Sequence, residues 1–176
     1  MTMPNLRPVG SQDVPAITAI YGDAVLTGTA SFEIEPPGEA EMDRRISSLV
    51  ESGFPVLVAE EAGEVLGYAY AGPYRLRPAY RFTVEDTVYV AASARGRGVG
   101  RALLRRLVED SESLNFRQMV AVIGDSAHAA SIGLHRAEGF ALVGTLASVG
   151  YKFGRWLDSV LMQRPLGPGD TTSPTR

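Results

Sequence analysis

The chain reads as an α+β protein built on a mixed, mostly antiparallel sheet of about seven strands flanked by about four helices. Three observations carry that expectation. Strand-like and helix-like segments follow one another in the order β-α-α-β-β-β-α-β-α-β-β. Short links join strand-like segments within 55–72 and within 141–163, which makes antiparallel hairpins. A single strand, glycine loop, helix and strand at 82–124 supplies one parallel crossover. Hairpins on both sides of one β-α-β unit exclude a doubly wound sheet.

Each element has its own local reason. Residues 6–9 are a short apolar strand before Gly10 and Ser11. Ser11 is placed to cap a helix that runs to about residue 26, with Val14, Ile17 and Ala24 on its stripe and Ile20 and Tyr21 alongside. Residues 27–35 are a connection. A second helix follows Pro36-Pro37, with Glu39 and Glu41 at its positive end, a stripe of Met42, Ile46, Leu49 and Val50, and Gly53 as its stop. Strands at 55–60 and 64–72 form a hairpin, residues 73–81 break the pattern, and 82–90 is a strand rich in Val, Thr, Tyr and Phe. Residues 99–114 are a helix with Val99, Leu103 and Leu107 on one stripe. Residues 118–124 are a buried strand, and 128–138 a short helix closed by Gly139. The last strands are 141–151 and 157–163.

At 176 residues the chain is the size of one domain, taken as 1–164, with the proline- and glycine-rich 165–176 as a disordered end. It carries 17 Lys and Arg against 20 Asp and Glu, a net charge of −3, so no basic surface points to nucleic acid. The absence of cysteine removes disulfides, thiolate metal sites and a thiol nucleophile, and two histidines are too few for a histidine-rich metal centre. No metal is expected. No apolar run approaches the roughly 20 residues of a membrane span, and the first residues lack a signal peptide's apolar stretch. A cytoplasmic address, without a membrane partner, is the expectation.

Residues 95–101 read R-G-R-G-V-G-R, between a strand and a helix. A helix start exposes unpaired N–H groups and the positive end of the dipole, and glycines let a phosphate approach the backbone. Arg95, Arg97 and Arg101 add cations. Two familiar phosphate loops fail: no lysine follows as in a P-loop, and a dinucleotide loop would need glycine where Arg101 stands.

Arg95-x-x-Gly98-x-Gly100 resembles the R/Q-x-x-G-x-G/A signature of the GNAT superfamily of acyl-CoA N-acyltransferases, and the element order from residue 6 to about 163 resembles that fold. Five separated blocks are similar to phosphinothricin and methionine sulfoximine N-acetyltransferases: T-A-S-F-E at 29–33, Y-A-G-P-Y-R-L-R-P-A-Y-R-F-T-V-E-D-T-V-Y-V at 70–90, V-A-V-I-G-D-S at 120–126, A-S-I-G-L-H at 130–135 and V-G-Y-K-F-G-R-W-L-D at 149–158. The resemblance implies acetyl-CoA as co-substrate. The backbone of Val88, Tyr89 and Val90 would pair with the pantetheine arm as an added strand does. Gly96, Arg97, Gly98, Val99, Gly100 and Arg101 would hold the pyrophosphate, with His128 and Ser131 on the cofactor side. It also implies a small amino-acid-like acceptor of the phosphinothricin, methionine sulfoximine or methionine sulfone type, and a homodimer to which 149–158 contributes. Two departures stand out: His128 replaces a usual asparagine that contacts the cofactor arm, and Glu138 replaces a commonly apolar residue.

Acetyl transfer from a thioester to an amine needs a neutral amine, donors for the oxyanion, and a proton or polar surroundings for the leaving thiolate. A backbone N–H near Val90 suits the oxyanion. An α-amino group titrates near about 8, so a modest base suffices. Glu85 is the first candidate base, and in the resemblance it matches the family's proposed catalytic glutamate. Period two puts Glu85, Thr87 and Tyr89 on one face and Val84, Asp86, Val88 and Val90 on the other, unless a bulge exchanges them. Without the resemblance, Glu85 and Asp86 read first as ordinary strand-edge charges. His135 is the second candidate, with Ser131 at i−4 and His128 at i−7 on its helix face. Arg75, Leu76 and Arg77, stiffened by Pro73 and Pro78, suit an acceptor carboxylate, which the family places against this stretch and Glu85, Asp86 and Thr87. Phe32, Tyr80 and Trp156 are candidate pocket walls. The competing expectations are a non-catalytic acyl-CoA sensor on the same fold and a module for another nucleotide.

Overall fold

The computed structural model describes residues 4–175. Its strands are β1 (Asn5–Pro8), β2 (Val56–Glu61), β3 (Glu64–Pro73), β4 (Thr83–Val90), β5 (Gln118–Gly124), β6 (Ala141–Lys152) and β7 (Arg155–Pro165); its helices are α1 (Val14–Thr27), α2 (Glu39–Glu51), α3 (Val99–Ser113) and α4 (Ala129–Ala137). The strands form one sheet in the order β1-β2-β3-β4-β5-β7-β6. Only β4–β5 is parallel; the other neighbours are antiparallel. This is the mixed α+β sheet that the hairpins and the single crossover predict.

Strand alternation divides the core in two. Leu57, Ala59, Leu66 and Ala69 meet Leu103, Leu104 and Leu107 of α3 on one face. Val56, Val58 and Tyr68 meet Val14 and Ile17 of α1 and Met42 and Ile46 of α2 on the other. The three α3 leucines have no exposed surface, and burying each stabilises the fold by about 1.5–3 kcal/mol.

Two elements differ from expectation. Ser11 does not cap α1: Ser11–Asp13 form a 3-10 turn, and the Asp13 carboxylate accepts from the Gly10 N–H at 2.8 Å. Arg7 holds that buried carboxylate at 2.7 and 2.9 Å and, by hydrogen bonding, keeps it below its ordinary pKa. The last described residues, whose composition suggests a disordered end, make contacts with the domain. β7 continues to Pro165, Leu166 is fully buried, and the Arg117 guanidinium donates to Gly169 O, Thr172 Oγ1 and Ser173 O at 2.9–3.0 Å.

Candidate active site

The site arises where β4 and β5 part. Their pairing covers Thr83↔Gln118, Val84↔Met119 and Glu85↔Val120 and then stops. Beyond it β4 stays with β3 as far as Val90, and β5 stays with β7 as far as Gly124. The β5-facing backbone of β4 after Glu85 therefore has no strand partner. A cleft of about 310 Å³ opens there, with Glu85–Tyr89 on one wall, 121–124 on the other, and His128, Ser131 and His135 of α4 at its side. The β3–β4 register is unbroken, so no bulge exchanges the faces of β4. Val84, Val88 and Val90 pack toward α3, and Tyr89 joins Tyr21 and Tyr68 on the other face.

Glu85 stands at the fork. Burial pushes its carboxyl above the ordinary range, the like charge of Asp86 adds to this, and Arg75 opposes it. Asp86, on the opposite face, accepts from or shares a proton with His135: Nε2 lies 2.9 Å from Oδ2. The other oxygen, Asp86 Oδ1, is buried with no hydrogen-bond partner. His135 Nδ1 lies 2.7 Å from the Ser131 carbonyl, and a carbonyl only accepts, so Nδ1 carries hydrogen. Burial lowers the affinity of His135 for a second proton, but the hydrogen bond and charge of Asp86 outweigh this and raise its pKa. Both ring nitrogens are engaged and the residue is 4% exposed. His135 thus differs from the free proton carrier that its spacing suggests; it ties α4 to β4.

His128 caps α4, its Nδ1 accepting from the Ser131 N–H at 3.2 Å. That bond requires the Nδ1 lone pair and leaves Nε2–H free at the cleft. A histidine here therefore fills the capping place that an asparagine side chain also suits.

The glycine loop is an open cradle. Gly96 and Gly98 have φ of +74° and +83°, which glycine adopts without strain, and nothing lies within 4 Å of where a Cβ would stand. No side chain caps α3, so the N–H groups of Val99, Gly100 and Arg101 are left without intrahelical acceptors. These fit a phosphate. The loop's arginines, however, are each held by a carboxylate from elsewhere: Arg95 by Asp23 at 3.6 Å, Arg97 by Glu61 at 2.5 Å, and Arg101 by Glu138 at 2.6 Å. Glu138, buried at a place where the family is commonly apolar, also pairs with Arg105 at 3.0 Å.

The acceptor candidates are less gathered than the sequence suggests. Glu85, Asp86, Thr87 and Phe32 line the cleft. Arg75, Leu76, Arg77 and Tyr80 line a neighbouring cavity of about 360 Å³ over Phe54 and Phe116. Arg75 stacks on Tyr74 at 4.5 Å and reaches Glu85 only through its charge, and Leu76 is 91% exposed. Trp156 lies outside the cleft, against Tyr151 at 5.1 Å. Tyr21, Tyr70, Ser31 and 121–124 also line the cleft, although the sequence marks them only as helix-stripe, strand or family-block residues. The run V-A-V-I reads as a buried strand; it becomes a wall only because its parallel neighbour leaves it.

A strand pair opened beside a glycine-started helix is the architecture of an acyl-CoA-binding transferase, and the comparisons agree. Residues 6–161 match the model of the acetyltransferase (GNAT) domain. The chain belongs to the GNAT superfamily of N-acetyltransferases, enzymes that take the acetyl group from acetyl-CoA. It is 57% identical over 169 residues to a phosphinothricin N-acetyltransferase of Alcaligenes faecalis, covering 96% of this chain and 86% of that one. It is 45% identical over 165 residues to an L-methionine sulfoximine/L-methionine sulfone acetyltransferase of Pseudomonas paraeruginosa, covering 93% and 95%. Its fold superimposes with a TM-score of 0.96, at 50% identity and 99% and 95% coverage, on a phosphinothricin acetyltransferase from Sinorhizobium meliloti crystallised with acetyl-CoA.

Proposed function

We propose that this enzyme acetylates the α-amino group of a small amino-acid-like acceptor of the phosphinothricin, methionine sulfoximine or methionine sulfone type, by direct transfer with Glu85 as general base. The observation that carries this is the parting of β4 and β5 at Glu85, which leaves a backbone edge for pantetheine amides and a carboxylate of raised pKa at its inner end. The names of the relatives supply the acceptor class. The pantetheine arm lies along Val88–Val90 and the pyrophosphate meets the N–H groups at 96–101. Glu85 takes a proton from the acceptor ammonium. The freed nitrogen lone pair forms a bond to the thioester carbonyl carbon; as the tetrahedral intermediate collapses the carbon–sulfur bond breaks, the second proton on nitrogen passes through solvent to the leaving thiolate, and Glu85 returns its proton to solvent. His135 and Asp86 position α4 against the cofactor edge; with both nitrogens engaged, His135 is not assigned the proton.

Domain 1–164 is assigned to this one activity, in the cytoplasm; among the described residues no helix is long and apolar enough to cross a membrane. A homodimer is proposed on the outer strand β6, where Leu142, Val143, Leu146, Val149 and Tyr151 are exposed beside Trp156. Light scattering at twice the chain mass supports it; a monomer at micromolar concentration removes it. The deciding assay for function is thiol release from acetyl-CoA against a panel of free amino acids, their sulfoximine, sulfone and phosphinate analogues, and carboxylate-blocked forms. Preference for the analogues over the blocked forms is expected. Turnover of blocked peptides alone would overturn the acceptor class.

A further inference from the structure

The connection between α1 and α2 carries Ala30, Ser31 and Phe32 into the cleft wall, yet no strand or helix ladder fixes it. Nearby side chains hold part of it: Tyr21 Oη lies 2.9 Å from Ser31 Oγ, Arg45 pairs with Glu33 at 2.7 Å, and Tyr89 Oη donates to Ala30 O at 3.4 Å. Its backbone carbonyls at Gly28 and Ser31 and the Thr29 hydroxyl are met from more than 90 residues along the chain. Lys152, at the end of β6, is 4% exposed, and its ammonium donates to the carbonyls of Gly28 at 2.9 Å and Ser31 at 2.8 Å. Among the described residues no carboxylate lies within ion-pair distance of it. Thr29 Oγ1 donates to Asp125 at 3.2 Å, and Asp125 in turn takes Arg155 at 2.5 Å. The Phe32 ring sits in a slot between two glycines: a Cβ on Gly124 would lie 2.9 Å from it, and one on Gly150 would overlap it.

We propose that Lys152 is a positioning residue for the acceptor, fixing the Phe32 wall of the cleft through the carbonyls of Gly28 and Ser31. Ser31 is buried and Gly28 half-buried, and among the described residues no backbone N–H donates to either carbonyl. One ammonium supplies several N–H groups at a single point, and the two carbonyl dipoles replace its lost water, which an apolar side chain at 152 could not reciprocate. The two carbonyls that Lys152 holds flank the Phe32 wall, and the segment's contact with the cofactor edge is a separate one, from Tyr89 Oη to Ala30 O at 3.4 Å. The assignment rests on the proposal that the acceptor binds beside Glu85.

The test pairs hydrogen exchange with kinetics. In Lys152→Met, exchange at 27–33 is expected to rise at least tenfold while the rest of the chain keeps its protection. The acceptor KM should rise at least tenfold, with kcat and the acetyl-CoA KM within about twofold. Gly150→Ala displaces the ring without touching the ammonium. It should give the same split, and the double variant should lose less than the product of the two. Should Lys152→Met not fold, Lys152→Gln, which keeps one donor amide, is expected to show the same pattern in smaller measure. Unchanged exchange at 27–33, exchange raised throughout the chain, or equal loss for both substrates overturns the proposal. If the native enzyme acetylates no acceptor in the panel, the proposed function fails, and the exchange data alone still decide the anchor.

Discussion

Glu85→Gln preserves shape and removes basicity, so it separates proton removal from positioning. An α-amino group titrates near about 8, and somewhat higher beside its own carboxylate, so at pH 7 at most roughly a tenth of the acceptor is neutral. Burial and the neighbouring Asp86 charge push Glu85 upward, toward the amine's own range, and narrow the gap the proton must cross. General acid–base assistance is worth about 10²–10⁴-fold, or about 2.7–5.4 kcal/mol at 1.36 kcal/mol per tenfold. At pH 7 the variant should lose kcat by that factor, with the acetyl-CoA KM little changed. By pH 10 about tenfold of the loss should return, because the acceptor is then already neutral. Thiol release at saturating substrates from pH 6 to pH 10 measures both quantities. The native enzyme's kcat/KM should also show an acidic limb above the ordinary glutamate value, absent from the variant. A loss that stays constant from pH 6 to pH 10 would refute proton removal and leave Glu85 a positioning group; no loss would remove it from the reaction.

Gly98→Asp places a negative charge in the open cradle before α3, and at least tenfold weaker acetyl-CoA binding by calorimetry, about 1.4 kcal/mol, is expected with the circular dichroism unchanged; equal affinity would exclude the loop. Arg75→Ala should move the acidic limb of kcat/KM further up, because the Arg75 charge holds the Glu85 carboxyl down, whereas Arg77→Ala should leave it in place; the same limb in both variants would sink the coupling. Asp86→Ala leaves His135 without its buried partner, and denaturant unfolding should show a cost of about 3–5 kcal/mol at pH 6. Since the folded pKa of His135 is raised, the pair's contribution is complete below about pH 6.5 and fades as pH rises through the folded value, so the deficit should shrink by pH 9. An equal deficit at both pH values would mean that the pair is not ionised.

Much of the fold was legible locally. Period-two alternation assigned the faces of β4, helical spacing chose the leucines of α3, and two short links announced the hairpins, because backbone geometry alone sets those periods. R-G-R-G-V-G-R marked a phosphate cradle for the same reason: positive φ and unpaired N–H groups belong to the loop and the helix start themselves. What the sequence could not determine depends on which distant groups meet. The strand 118–124 looks buried until β4 follows β3 and β5 follows β7, and the gap between them becomes the cleft. The loop arginines look free until Asp23, Glu61 and Glu138 arrive from three other elements. Arg77 looks like a partner for an acceptor carboxylate beside Glu85 until the segment after β3 carries it into the next cavity. His135 resembles a free base until Asp86 and the Ser131 carbonyl take both nitrogens. Lys152 is one residue of the 149–158 block in the sequence, and only the packed sheet brings it to the carbonyls of Gly28 and Ser31, because such pairings follow from tertiary packing and leave no mark in local periodicity.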